Sequence, residues 1–129
     1  MSAGTILVIE DNPIQREQLV TILHQQGFRV LTATDGNEAL NWLSSHLVPD
    51  LILLDLLMPS GTFDGWWLLK QRQRIPEFAA VPVIILTALS LASKPWAVSL
   101  GASGLLRKPV EAEALLSEIR RCLSMTEQS

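Results

Sequence analysis

The sequence predicts an α/β domain, a doubly wound parallel sheet of five strands with helices on both faces. Three observations predict it. Five short apolar runs recur along the chain, several continuous rather than alternating, as in strands covered on both sides. Segments of helical period separate these runs. Strand and helix alternate five times, the pattern left by right-handed crossovers between parallel strands.

The first run is Thr5–Ile9. Asn12 then offers a helix N-cap and Pro13 suits the first helical position. Leu19, Ile22 and Leu23 share one face of this helix, and Gly27 stands where it should stop. The second run is Val30–Thr34, and Asp35 with Glu38 three residues on reads as a capping box. Ala39, Leu40 and Leu43 give the second helix its apolar face. The third run, Leu51–Leu54, is extended past Asp55 by Leu56–Met58. Trp66 and Trp67 open a third helix. Val83–Leu86 is the fourth strand. A short fourth helix follows, with Pro95 in its first turn and Trp96 within it. Gly104–Leu106 is the fifth strand. The last helix buries Leu115, Leu116, Ile119 and Leu123; Glu111 and Glu113 open it and Arg120 and Arg121 close it, matching the helix dipole.

The chain of 129 residues suits one domain over 1–129, with its core at about 5–124 and a frayed end or linker start at Met125–Ser129. Apolar residues make up 48%, enough for a real core, and charged residues 18%. A net charge of −3 without a Lys/Arg run gives no support for a nucleic-acid surface. No apolar stretch is long enough to span a membrane, and no signal peptide is evident. The single cysteine, Cys122, excludes an internal disulfide and fits a reducing compartment, so a cytoplasmic location is expected.

In an open parallel sheet the site lies beyond the carboxyl ends of the strands. Glu10 and Asp11 follow the first run, Asp55 the third, Thr87 the fourth, and Lys108, past Arg107, the fifth. Three carboxylates at one edge repel one another, so they raise each other's pKa or recruit a cation. Hard oxygen ligands favour Mg²⁺. A carboxylate beside the metal can attack phosphorus, while a Lys and a hydroxyl stabilise the moving phosphoryl group. Taken singly, these residues also have plain readings. Asp11 before Asn12-Pro13 suits a helix cap, Thr87 suits any strand, and Lys108-Pro109 suits a solvated strand end. Asp55 among apolar neighbours is the exception, because a carboxylate in a buried strand is costly unless it serves a site. The joint placement at the strand ends is the specific signal.

The segments Ile6–Asn12, Leu51–Pro59, Asp64-Gly65, Val83–Ala88, Gly101-Ala102 and Lys108-Pro109 resemble the receiver domain of two-component response regulators, from Ile6 to about Leu123. That resemblance implies strand order 2-1-3-4-5, a flavodoxin-like receiver fold with five helices. It implies a phosphoryl group taken onto Asp55 from a sensor histidine kinase or histidine phosphotransfer protein. It implies Mg²⁺ held by Asp11, Asp55 and the backbone carbonyl of Leu57, with Glu10 helping through water. Thr87 would bond a phosphoryl oxygen, Lys108 would pair with it, and the Lys108-Pro109 bond would be cis. Signalling would use the face of the fourth helix, fifth strand and fifth helix. Such a module is not itself an enzyme beyond Mg²⁺-dependent self-phosphorylation from a donor.

Three departures stand out. The loop from Pro59 to Asp64 is two residues longer than usual. Leu105 stands where the family carries its switch aromatic. Leu57 and Leu89 flank the site, where polar side chains would orient an attacking water, so slow self-dephosphorylation is expected. Adjacent Trp66 and Trp67 cannot both face the core. The exposed one either packs on the longer loop or anchors a partner. Trp96 and Leu105 together suggest an apolar surface for a second copy or an effector.

Two competing readings stand beside a phosphoacceptor. One is a receiver-like interaction module that is never phosphorylated. The other is an enzyme on the same fold. Against a flavin carrier, the first loop carries Glu10 and Asp11, which repel phosphate in the absence of a metal. Against an aspartate-nucleophile phosphatase, Leu57 stands where a second Asp is needed.

Overall fold

The computed structural model describes residues 3–45, 48–56 and 64–127. In chain order the elements are β1 (Thr5–Ile9), α1 (Pro13–Gln25), β2 (Arg29–Ala33), α2 (Gly36–Ser44), β3 (Leu51–Asp55), α3 (Asp64–Gln73), α4 (Pro76–Ala79), β4 (Val83–Thr87), α5 (Lys94–Ser99), β5 (Gly104–Arg107) and α6 (Ala112–Glu127). The five strands are all parallel, in the order β2-β1-β3-β4-β5.

Alternate residues of each central strand supply two apolar layers. Leu7, Ile9, Ile52, Leu54, Val83 and Ile85 face the side covered by α2, α3, α4 and α5. Ile6, Val8, Leu51, Leu53, Ile84 and Leu86 face α1 and α6. Burial on both sides explains why these strands read as continuous apolar runs.

Local signals set the helix ends. Asn12 caps α1, its Oδ1 accepting from the Gln15 N–H at 2.9 Å. Gly27, at φ +87°, takes the left-handed conformation that ends α1. Asp35 caps α2 through the Glu38 N–H at 2.8 Å. Ser93 caps α5, whose first turn contains Pro95.

The described residues hold six helices where five were expected. The additional one, α4, is a single turn opened by Pro76 and anchored by buried Phe78. Four residues are too few for a helical period to register in the sequence. Helix α6 continues through Met125 to Glu127, into the segment expected as a tail, and the Met125 sulfur accepts from Arg121 at 3.2 Å.

The register brings the strand ends to one level. Ile9 is paired with Leu54, Asp55 with Leu86, and Thr87 with Arg107. The residues that follow β1 and β5 therefore emerge beside the last residues of β3 and β4.

Candidate functional site

Glu10, Asp11, Asp55, Thr87 and Lys108 occupy this carboxyl edge. Glu10, Asp55 and Thr87 are buried, at 1%, 3% and 1% exposure, and Asp11 is half-buried. Oxygens of Glu10, Asp11 and Asp55 lie within 4.8 Å of one another, a spacing that could hold a metal ion. The Lys108 ammonium reaches into the group. It donates to Asp55 Oδ2 at 3.1 Å and to both Glu10 oxygens at 3.2 Å. The Lys108-Pro109 peptide is cis.

Backbone contacts hold these side chains in place. The Glu10 N–H donates to Ala33 O at 3.0 Å, extending the β1–β2 pairing by one residue. The Lys108 N–H donates to Thr87 O at 2.9 Å and joins the two strand ends. Thr87 Oγ1 accepts from the Leu89 N–H at 3.1 Å, which leaves the hydroxyl hydrogen to donate elsewhere.

Negative charge exceeds positive charge here. Burial, and then the neighbouring Asp55 carboxylate, push the Glu10 carboxyl from an ordinary 4.5 up to about 7, against the pull of Lys108. Asp11 Oδ1 is buried and has no hydrogen-bond partner among the described residues. Such an acceptor costs about 1–3 kcal/mol if left unsatisfied. A metal ion held by these carboxylates would answer both problems, because it would neutralise charge and give the Asp11 oxygen a partner.

Residues beyond the expected set also serve the site. Gln15 Oε1 accepts from Lys108 Nζ at 2.7 Å. Arg16 donates to the carbonyls of Glu10 at 3.0 Å and Asp11 at 3.3 Å, pinning the acidic loop. Arg107 donates to Ser90 O at 2.8 Å and to Ala92 O, holding the loop after β4. The sequence offered only a weak cue for these: a basic residue one turn after the acids, and another just before Lys108.

Leu105 lies half-buried on β5 against the apolar layer that also receives Trp96. Leu89 is 38% exposed directly beyond Thr87, and Trp67 is exposed to the same degree. The Leu57 carbonyl, the loop from Pro59 to Phe63 and the Trp66 side chain lie outside the described residues. No described helix is long and apolar enough to cross a membrane.

Comparison with known proteins agrees with this geometry. Residues 6–120 match the response regulator receiver domain family. The protein PilH of Pseudomonas aeruginosa is 33% identical over 120 residues, covering 92% of this chain and 97% of PilH. The DNA-binding dual master transcriptional regulator RpaA of Synechocystis is 34% identical over 124 residues, covering 95% of this chain but 50% of RpaA. The chain thus spans about half of that relative's length. Among solved structures, the signal receiver domain of a signal transduction histidine kinase from Syntrophus aciditrophicus superposes with a TM-score of 0.83 at 35% identity. That match covers 98% of this chain and 95% of the other.

The Glu10 shift has a definite sign. The folded state keeps a proton up to about pH 7 that the unfolded chain releases near 4.5. Glu10 therefore contributes stability below 4.5 that is lost as pH rises towards about 7 in the metal-free protein. Urea unfolding in chelator at about pH 5 and about pH 7 should show a smaller loss in Glu10→Gln than in the wild type. Equal losses would show that Glu10 ionises normally.

Proposed function

We infer the function from one premise: this chain belongs to the response regulator receiver domain family of two-component signalling. Receiver domains interact with sensor histidine kinases. The acidic pocket of Glu10, Asp11 and Asp55 fits the phosphoacceptor site of such a domain.

The finer reading is that Asp55 accepts the phosphoryl group from a phosphohistidine on a kinase or phosphotransfer partner. An Asp55 carboxylate oxygen attacks phosphorus and forms the new O–P bond. The P–N bond breaks, its electron pair returns to the imidazole nitrogen, and that nitrogen takes a proton from water. Lys108 neutralises charge on the phosphoryl oxygens and the Thr87 hydroxyl donates to one of them. Asp11 and Asp55 would hold Mg²⁺, with Glu10 acting through water and the Leu57 carbonyl as a further ligand. When bound, the metal supplies positive charge that draws the phosphoryl oxygens and the attacking carboxylate together.

The observation that carries this reading is the unpartnered, buried Asp11 Oδ1 beside the Asp55–Lys108 pair. An apolar core with a stray acid gives no reason for three carboxylates to gather within 4.8 Å, two of them paired with one ammonium. The domain would act in the cytoplasm as a single unit over about residues 5–124. It would signal through the face of α5, β5 and α6, where Trp96 and Leu105 meet a second copy or an effector. A second reading, an interaction module that is never phosphorylated, draws on Leu105, which has no ring to swing between two positions.

The decisive test uses Mg²⁺ and acetyl phosphate, followed by intact mass. The wild type should gain one phosphoryl group and Asp55→Asn none. No gain from any donor would favour the interaction module. Phosphoryl lifetime is a separate measurement. Leu57→Asn and Leu89→Glu should each shorten it, by on the order of tenfold or more, by orienting the attacking water. An unchanged lifetime in both would remove the obstruction by leucine from the account.

A further inference from the structure

We propose that Gln15 is a positioning residue that holds the Lys108 ammonium in reserve, and that phosphoryl binding at Asp55 makes Lys108 leave it. The inference rests on the phosphoacceptor reading above and adds a residue to it.

An ammonium has three N–H donors. Here Glu10, Asp55 and Gln15 share them, and the contact to Gln15 Oε1, at 2.7 Å, is the shortest. Lys108 is therefore fully engaged before any phosphoryl oxygen arrives. Four oxygens already share its three N–H groups, so a further acceptor competes with them.

The three partners are not equal. Glu10 and Asp55 are buried, so water cannot replace a hydrogen bond lost there. Gln15 is neutral and exposed in the first turn of α1, so water satisfies its amide as soon as Lys108 departs. Its backbone is fixed by the Asn12 cap, which aims the side chain across the strand edge. Room for the released amide exists, because Gln15 lines an open groove of about 860 Å³ between α1 and the Lys108–Val110 segment. Gln15 thus sets how much it costs to commit Lys108 to the phosphoryl group.

The test is the affinity for beryllium fluoride, a non-transferring phosphoryl mimic, titrated in Mg²⁺ and read by calorimetry. Gln15→Leu keeps the bulk and removes the acceptor. Gln15→Asn keeps the amide but withdraws it by one methylene. Both should bind the mimic about three- to tenfold more tightly than wild type, the ratio for one lost competing hydrogen bond. Gln15→Glu should bind it more weakly by at least as much, since a carboxylate grips Lys108 harder. A merely structural role for Gln15 would weaken all three variants alike. That result, or Leu and Asn variants within about twofold of wild type, overturns the proposal. A wild type that neither binds the mimic nor gains mass from acetyl phosphate overturns it together with the phosphoacceptor reading, whereas normal phosphorylation with unresponsive Gln15 variants overturns the inference alone.

Discussion

Charge buried at the carboxyl edge of the sheet is the constraint on which the rest of this structure turns. Three carboxylates converge within 4.8 Å, and the one ammonium of Lys108 pairs with two of them, Glu10 and Asp55. Moving these groups out of water is costly, and their mutual repulsion adds to it. Lys108 offsets part of the cost. The upward push on Glu10 and the empty acceptor on Asp11 mark the part that remains. The cluster could hold a metal ion, and as an acidic pocket it fits the phosphoacceptor site of a receiver domain.

The fold makes that arrangement possible by separating two tasks. The interior of the sheet is apolar on both faces and supplies stability. The strand ends carry the polar groups, and the parallel register holds them at one level. Loops around the edge are then tied down by guanidinium groups that donate to backbone carbonyls. Arg16 secures the acidic loop, Arg107 the loop after β4, and buried Arg72 gathers the carbonyls of Ala79 and Val81 behind α4. Arginine suits this work because its planar fork reaches several carbonyls at once. The loop after β4 follows directly on Thr87. With Leu105 in place of an aromatic ring, the Arg107 contact is a physical link between that loop and β5.

Much of this was legible in the sequence, and the reason differs from residue to residue. Continuous apolar runs revealed doubly covered strands because burial on two faces erases alternation. Asn12-Pro13, Asp35 and Gly27 marked helix ends because capping is a local matter, decided within four residues. Glu10, Asp11, Asp55, Thr87 and Lys108 were readable because each stands at or just past the carboxyl end of a strand, and in a parallel sheet that position alone brings them together. Helix α4 was not readable, since one turn has no period. Nor was the Gln15–Lys108 contact, which joins residues 93 positions apart and depends on a side-chain rotamer. Arg72, near the end of α3, carries no sequence signal for its burial, because its partners are carbonyls that no pattern of side chains reveals.

The carboxyl edge gathers three carboxylates around one ammonium's charge and could hold a metal ion. The most direct measurement is the thermal midpoint with and without Mg²⁺, in the wild type and in Asp11→Asn. The account predicts that Mg²⁺ raises the wild-type midpoint in a saturable way, as a ligand of the folded state does, and that Asp11→Asn loses most of that rise. A wild-type midpoint indifferent to Mg²⁺, or an Asp11→Asn variant stabilised as strongly as the wild type, would contradict it.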